Sequence, residues 1–292
     1  MNVWTSWQLK GAKSSHENPD FLRHPIRGVS RVRVSSLHIY PVKSLAQVDC
    51  ESLHLDPWGP EGDRRWMVVD EGGTFITQRT NPDMARIKAV LSSDGVRLKE
   101  GDFSITVKIP VKRERRVRVW KSEVLACDAG EEAASWLTER LKRSCRLVYM
   151  DQPAEARKQH YQGVNYVNSF ADGFPVLLCT EASLGDLNRR LADAVPMERF
   201  RPNIVIAGSR AWEEDGWRRL MIGETILRIM KPSSRCVTIT VDQQEGKIPV
   251  VGQPLKTLGQ FRRQEDGIIF GQNVLIERPG RIAVGDEVTL LS

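Results

Sequence analysis

Residues 224–236 read ETILRIMKPSSRC. The alternation of apolar and polar residues over 224–230 predicts a strand, and the Pro232 and serine residues that follow predict a tight corner. The strand thus brings the Cys236 thiol to a turn, beside the guanidinium of Arg235. A nearby cation favours the thiolate, which is the form of cysteine that ligates soft metals or attacks electrophiles. The alternative interpretation is a half-buried small residue with no chemical role.

Short strands of the same kind recur along the chain and are separated by turn-forming residues. The pattern predicts strands at residues 34–40, 65–70, 74–78, 95–98, 103–107, 146–149, 175–179, 203–206, 220–222, 226–230 and 281–290. Hairpins are predicted where glycine separates two such runs, at residues 71–73 and 223–224.

Helices are fewer than strands. Asp128, with Glu131 three residues later, resembles a capping box and predicts a helix that begins there. Thr180 is the predicted cap of a second helix over residues 181–191, and residues 254–261 predict a short third one. Residues 151–170 are polar, lack a period and predict a long loop. Many short strands with two or three helices predict a β-rich α+β protein with barrel-like sheets.

Composition bounds the class of protein. The chain has 292 residues, 40% hydrophobic and 27% charged, with a net charge of +6, which suits a globular protein with an anionic ligand or an acidic partner. No zinc-knuckle spacing or aromatic RNA-binding cluster supports nucleic-acid binding, and no apolar run is long enough to span a bilayer. Five cysteines without a Cys-x-x-Cys pair or secretory leader predict free thiols in the cytoplasm. The polar residues 1–28 predict a loosely ordered arm.

Three cations occupy strand ends next to glycine or proline. Lys43 follows Tyr40-Pro41-Val42, Arg64 lies in a Gly-Asp-Arg-Arg-Trp run, and Arg201 precedes Pro202. Cations at the rim of a barrel are placed to meet an anion, and the arginine fork matches phosphate oxygens. Surface salt bridges are the alternative for each residue.

Seven motifs in one order over residues 33–292 resemble MOSC-domain proteins of the amidoxime-reducing component and YcbX-type group, a family of molybdenum reductases. They are Ile39-Tyr40-Pro41-Val42-Lys43-Ser44, Gly62-Asp63-Arg64-Arg65-Trp66, Thr180–Leu184 with Asp186-Leu187-Asn188, Phe200–Ile206, Ser234-Arg235-Cys236 with Thr240-Val241-Asp242, Leu255–Leu258 and Phe270–Asn273.

This resemblance implies a fold and a cofactor. An N-terminal MOSC-type β-barrel domain, residues 31–150, would pack on a C-terminal MOSC β-barrel domain, residues 151–292. A molybdenum–molybdopterin cofactor would lie between them, with Cys236 as the catalytic residue and metal ligand. The resemblance assigns cofactor binding to Lys43, Ser44, Arg64, Asp172, Gly173, Arg201, Asn203, Ser233, Ser234 and Arg235.

The resemblance also implies reduction of N-hydroxylated compounds: hydroxylamines, amidoximes and N-hydroxylated bases. The plant-type Cys-x4-Cys-x2-Cys pattern carried by many bacterial relatives is missing, so electrons are expected from a separate ferredoxin-, flavodoxin- or cytochrome b5-like protein. Two alternatives remain open. A Cys236 persulfide would make the chain a sulfur or molybdenum-cofactor carrier. The second alternative is a non-catalytic binding protein, or one that holds pyridoxal phosphate through a Schiff base on Lys43.

Overall fold

A computed structural model describes residues 31–291, except the side chains of residues 113, 114, 155 and 156. The arm predicted at residues 1–28 lies outside this part of the chain.

The described residues are mostly strand. The strands are β1 (Arg33–Ile39), β2 (Val48–Cys50), β3 (Ser52–Asp56), β4 (Gly59–Pro60), β5 (Trp66–Val69), β6 (Lys88–Ser92), β7 (Gly95–Glu100), β8 (Phe103–Lys108), β9 (Arg113–Val119), β10 (Ser122–Asp128), β11 (Arg146–Tyr149), β12 (Lys158–Tyr161), β13 (Val164–Val167), β14 (Val176–Thr180), β15 (Ile204–Ala207), β16 (Arg219–Ile222), β17 (Thr225–Ser234), β18 (Arg263–Gln264), β19 (Gly267–Arg278), β20 (Gly280–Ala283) and β21 (Val288–Leu291). The α-helices are α1 (Glu131–Leu141), α2 (Pro153–Ala156), α3 (Glu181–Asn188) and α4 (Leu255–Phe261), and the 3-10 helices are Pro82–Arg86, Met197–Phe200, Glu213–Gly216 and Val237–Thr240. The predicted β-rich α+β class is confirmed.

The largest sheet joins strands from both ends of the chain. Its order is β2-β1-β15-β14-β19-β17-β16-β21, with β18 paired to β19. β1 pairs antiparallel with β15, so that Leu37 lies opposite Ile204, and β3 pairs with β20 in a smaller sheet. Buried Val, Leu and Ile side chains of these strands form one core. Each such side chain contributes roughly 1.5–3 kcal/mol to folding when fully buried.

A second group of sheets packs on α1. The order β5-β11-β10-β9 makes one sheet, and β6-β7-β8 makes another. Leu137 and Leu141 of α1 pack with Trp66 and Leu147 in a second buried core. β9 lies at the edge of its sheet, where its run of basic residues discourages pairing with another strand.

The strand that leads to Cys236 is bent by irregular pairing. β17 pairs with β19 with register shifts at Ile226/Leu227, Ile229/Lys231 and Pro232/Ser234. Each bulge increases the local twist, and a bulge also tolerates the proline, which has no N–H to donate. The corner predicted at residues 231–236 therefore forms as the end of a bent strand.

Three local predictions are wrong. Residues 158–167 form the β12–β13 hairpin rather than part of a long loop; its turn residues Gln162 and Gly163 have φ of 46° and 79°, as a two-residue hairpin turn needs. α1 begins at Glu131 and not at Asp128, because the Asp128 carboxylate accepts from Gly130 N at 2.8 Å and binds Arg146 instead. Residues 74–78 form no strand beyond two isolated bridges, Thr74 with Arg118 and Phe75 with Val69.

The Thr180 cap is confirmed, since its hydroxyl accepts from Ser183 N at 3.3 Å, although α3 ends at Asn188 rather than Leu191.

Within residues 31–291, none of the helices combines the length and the apolar character that a membrane crossing requires.

Candidate functional site

One cavity brings together residues from both halves of the chain. Its volume is about 350 Å³, and its wall includes loops after β1 and before β5, the tip of the β9–β10 hairpin, and the end of β17. All eleven site residues predicted from the sequence line it: Lys43, Ser44, Arg64, Asp172, Gly173, Arg201, Asn203, Ser233, Ser234, Arg235 and Cys236.

The thiol of Cys236 is half-buried in this wall, at the N-terminus of the short helix Val237–Thr240. Its sulfur lies 3.3 Å from Thr238 Oγ1 and 3.3 Å from Arg79 Nε. Burial alone would raise the pKa of Cys236, but hydrogen bonds from Thr238 and Arg79 outweigh it, so that the pKa lies below its ordinary value. The geometry favours a thiolate.

The cation that touches this sulfur is not the one predicted from the sequence. Arg235 donates to Ser233 Oγ at 3.0 Å and to the Phe200 carbonyl at 2.8 Å, and it influences Cys236 only electrostatically. Arg79, 157 positions away in the chain, makes the direct contact. A guanidinium does lie beside the Cys236 sulfur, as predicted, but it belongs to Arg79 and not to Arg235.

Two guanidinium groups of the cavity wall contact one buried aromatic ring. The guanidinium carbons of Arg64 and Arg201 each lie 4.2 Å from the centre of the Tyr40 ring, which is fully buried. Burial lowers the pKa of Arg201 to about 10, which leaves it protonated at neutral pH. These contacts hold two like charges close together in the cavity wall, an arrangement that an anionic ligand would stabilise.

Four cavity residues adopt left-handed backbone conformations. Ser44, Arg64, Trp120 and Arg201 have φ of 68°, 47°, 56° and 58°. Such conformations are unfavourable for residues with a Cβ and concentrate at functional sites. Their clustering around one cavity is a second, independent sign that it is the functional site.

The side-chain amide of Asn203 makes four hydrogen bonds to other groups of the protein. Its Oδ1 accepts from Arg64 Nη1 at 3.0 Å and Leu177 N at 3.2 Å, and its Nδ2 donates to the His38 carbonyl at 3.1 Å and Asp63 Oδ1 at 3.2 Å. The residue therefore positions Arg64 and joins β1 to the segment before β15, and little of its hydrogen-bonding capacity remains for a ligand.

We expect Asn203→Ala to lower the free energy of unfolding by about 2–3 kcal/mol, because it leaves buried donors and acceptors without partners. Urea unfolding at pH 7 measures this change. Asn165→Ala, on the exposed face of the β12–β13 hairpin, is the control and should change stability by less than about 0.5 kcal/mol. Equal stability of the two variants would contradict the role assigned to Asn203.

Lys43 is also engaged within the wall. Its ammonium donates to the Phe170 carbonyl at 2.8 Å and forms an ion pair with Asp172, whose carboxylate accepts from Trp120 Nε1 at 3.0 Å. Burial lowers the pKa of Lys43, and the Asp172 charge opposes this effect. Burial would raise the pKa of Asp172, yet the Lys43 ammonium holds it well below its usual range.

Positive charge dominates the cavity. Its only charged residues among the described part of the chain are one carboxylate, Asp172, and six cations, Lys43, Arg64, Arg79, Arg201, Lys231 and Arg235. Lys43, Arg64 and Lys231 have carboxylate partners, whereas Arg79, Arg201 and Arg235 have none within 4 Å among the described residues. This excess of positive charge favours the binding of an anionic ligand.

A pair of buried glutamines connects the two halves of the wall. Gln78 Nε2 donates to Gln243 Oε1 at 3.0 Å, and Gln243 Nε2 donates back to Gln78 Oε1 at 2.9 Å. Gln78 also donates to the Ser44 carbonyl, and Gln243 accepts from Arg201 Nη1 at 3.1 Å. Arg79, Trp120 and this pair escaped the sequence reasoning, because nothing in their local sequence marks contacts over such separations.

The β12–β13 hairpin packs beside the cavity through aromatic rings. Phe174, a cavity residue, stacks on Tyr166 at 5.1 Å and meets Tyr161 edge-on at 5.6 Å. A separate cavity of about 670 Å³ lies between this hairpin, β17 and β19, and none of the predicted site residues lines it.

Known families match the chain in the order that the motifs predict. The MOSC N-terminal beta barrel domain matches residues 31–144, and the MOSC domain matches residues 165–289. Mitochondrial amidoxime-reducing component 1 of Homo sapiens is 34% identical over 281 residues, which cover 88% of this chain and 82% of that protein. Its Mus musculus counterpart is 35% identical, with the same coverage. The chain belongs to the MOSC family that contains the amidoxime-reducing components.

The MOSC fold class predicted from the motifs is thereby confirmed: an N-terminal MOSC β-barrel domain and a MOSC domain follow each other in the chain. Among solved structures, the YUAD protein of Bacillus subtilis is 11% identical over 88% of this chain and 93% of that one, with a TM-score of 0.40. The division at residue 150 stays a prediction.

Proposed function

We propose that this MOSC protein is a molybdenum-cofactor oxidoreductase that reduces N-hydroxylated compounds with electrons from a separate donor protein. The observation that carries the proposal is the cavity, in which a low-pKa thiol faces an excess of cations from both halves of the chain. The names of the relatives support amidoximes as a substrate class.

The residues present fit a molybdenum–molybdopterin cofactor. A thiolate is a soft ligand of the kind that transition metals bind, and Cys236 supplies it. Arg201 and Arg235 lack carboxylate partners and suit the pterin phosphate, which carries negative charge. When bound, this cofactor supplies two-electron oxygen-atom transfer chemistry.

The residues of the cavity would bind and orient the cofactor. Arg64 and Arg201, which both pack on the Tyr40 ring, would hold the pterin phosphate. Lys43, locked on Phe170 and Asp172, adds a fixed positive charge. Backbone and hydroxyl groups of Ser44, Gly173, Ser233 and Ser234 are the proposed contacts to the polar ring system.

Both alternative functions are less consistent with the cavity. The ammonium of Lys43 is held in an ion pair, and a charged amine cannot attack an aldehyde to form the Schiff base of a pyridoxal phosphate protein. A persulfide carrier would need Cys236 but not the cations that residues 43–79 contribute. The cavity wall contains cations from both halves of the chain and therefore favours the enzyme over the carrier.

The electron donor is proposed as an acidic ferredoxin-, flavodoxin- or cytochrome b5-like protein, because the net charge of +6 would steer an acidic partner. A cytoplasmic location stays a prediction, based on five cysteines that form no disulfide in the described part of the chain. The relatives are named as mitochondrial. Absence of nucleic-acid binding likewise stays a prediction.

The test is reduction of benzamidoxime by protein made in a host that synthesises the cofactor, with reduced methyl viologen as electron source. We expect benzamidine to form in proportion to enzyme, and none to form with protein from a host unable to make the cofactor. Equal product in both preparations, or none in either, would contradict the proposed function.

A further inference from the structure

We propose that Arg79 is a catalytic residue that binds the hydroxyl oxygen of the N-hydroxylated substrate, and that Trp120 positions it. This inference rests on the function proposed above and adds residues that the seven motifs do not contain. Both side chains line the cavity beside Cys236.

Arg79 is fixed at the reactive end of the cavity. Its Nε lies 3.3 Å from Cys236 Sγ, and its backbone N–H donates to Thr77 Oγ1 at 3.3 Å. The adjacent Gln78 is fully buried in its amide pair with Gln243, so the turn is anchored. Because the guanidinium is rigid and planar, its terminal amino groups stay close to the same sulfur.

The terminal amino groups of Arg79 have no partner within the described part of the chain. The contact to the Cys236 sulfur is the only hydrogen bond that its guanidinium makes there, and no described carboxylate lies within 4 Å of it. Arg201 and Arg235, the other unpaired cations, bind Gln243, Ser233 and the Phe200 carbonyl. Arg79 alone of these three keeps both terminal amino groups available beside the thiol.

Trp120 holds this guanidinium in place. The Arg79 guanidinium carbon lies 4.6 Å from the centre of the Trp120 ring, and Phe75 packs on the same ring at 5.0 Å. The indole N–H is tied to Asp172 Oδ1 at 3.0 Å. Trp120 sits at the β9–β10 turn with φ of 56°, a strained position for an aromatic residue, and is 44% exposed. A costly conformation and an exposed ring fit a positioning role.

The reaction explains why a cation belongs here. The N–O bond breaks, two electrons from the donor protein and two protons are taken up, and the products are the N–H compound and water. The oxygen departs with the electron pair of the bond, so negative charge develops on it. A fixed guanidinium that donates to this oxygen stabilises the charge and stays protonated throughout.

The experiment compares Arg79→Ala and Arg79→Lys with wild type, using benzamidoxime and reduced methyl viologen on cofactor-loaded protein. Removing one such donor costs about 100- to 1000-fold in kcat, and we expect a loss of that size in Arg79→Ala. Molybdenum and pterin contents should stay at the wild-type level, and the Mo(V) electron paramagnetic resonance spectrum should shift. Arg97→Ala, exposed and remote from the cavity, is the matched control.

Chemical rescue separates a direct role from a structural one. Guanidinium ion at constant ionic strength should restore part of kcat in Arg79→Ala and change nothing in the control. An active wild type with an equally active Arg79→Ala would overturn this inference alone. Loss of activity in proportion to loss of cofactor would also overturn it, since Arg79 would then hold the cofactor. A loaded wild type that reduces no N-hydroxylated compound would overturn the proposed function and this inference together.

For Trp120 the conservative variant is the decisive one. Trp120→Phe keeps a ring under the guanidinium and should retain most of kcat, whereas Trp120→Ala should lower kcat with little change in KM. Guanidinium should not rescue Trp120→Ala, because its own Arg79 still occupies the site. Equal kcat in Trp120→Ala and wild type would remove the positioning role.

Discussion

Cys236→Ser is expected to lower benzamidoxime reduction by more than about 100-fold while the protein keeps its fold. Substitution of groups that merely support a metal ligand already costs 10- to 100-fold, so loss of the ligand itself should cost more. The hydroxyl of serine is a hard donor with a high pKa, and it does not replace a thiolate at a soft metal. The half-buried sulfur adds little to the core, so the melting temperature should change by only a few degrees.

The control for this variant is Cys50→Ser. Cys50 is also half-buried and free, but it lies on β2, away from the cavity. Its variant should keep full activity. A fully active Cys236→Ser variant would remove Cys236 as catalytic residue and metal ligand.

Arg201→Ala is expected to weaken retention of the cofactor by about 10- to 100-fold. A charge-assisted hydrogen bond contributes roughly 1.5–3 kcal/mol, and each 1.4 kcal/mol corresponds to a factor of ten in affinity. The backbone of residue 201 has φ of 58°, and alanine carries the same strain there as arginine, so backbone strain does not obscure the comparison. Molybdenum and pterin per protein, measured after extensive dialysis, report the change.

Arg189→Ala provides the comparison for this second variant. Arg189 follows α3 and binds Asp186 at the surface, with 70% of its side chain exposed. Its loss should leave cofactor content unchanged, because surface ion pairs contribute little. Equal cofactor content in the two variants would remove Arg201 from the site.

Local sequence patterns predict most strands of this protein. The family resemblance names eleven site residues, and the fold brings all of them to one cavity, while their roles in cofactor binding stay a prediction. The strand at Arg146–Tyr149 coincides with its prediction, and those at Arg33–Ile39 and Ile204–Ala207 deviate by one residue, because alternation and turn residues act within a few positions. The β12–β13 hairpin escapes prediction because each strand has only four residues and three of the four in β12 are polar, which hides the period.

The parts of the site that escaped prediction depend on long-range packing. Arg79 and Cys236 meet across 157 positions, and Gln78 and Gln243 across 165. The pairing of β1 with β15 and of β3 with β20 joins the two halves of the chain, and the N-terminal loops then share one cavity with the end of β17. The neighbour of a reactive cysteine in sequence, Arg235, is therefore a poor guide to its neighbour in space.

The central claim is that Cys236 holds molybdenum in a cavity that binds a pterin. The most direct measurement is elemental analysis for molybdenum, with fluorescence detection of the oxidised pterin, on protein from a cofactor-competent host, wild type beside Cys236→Ala. The account predicts near-stoichiometric metal and pterin in the wild type and metal lost from the variant. No metal and no pterin in either protein would contradict it and would direct attention to a persulfide on Cys236.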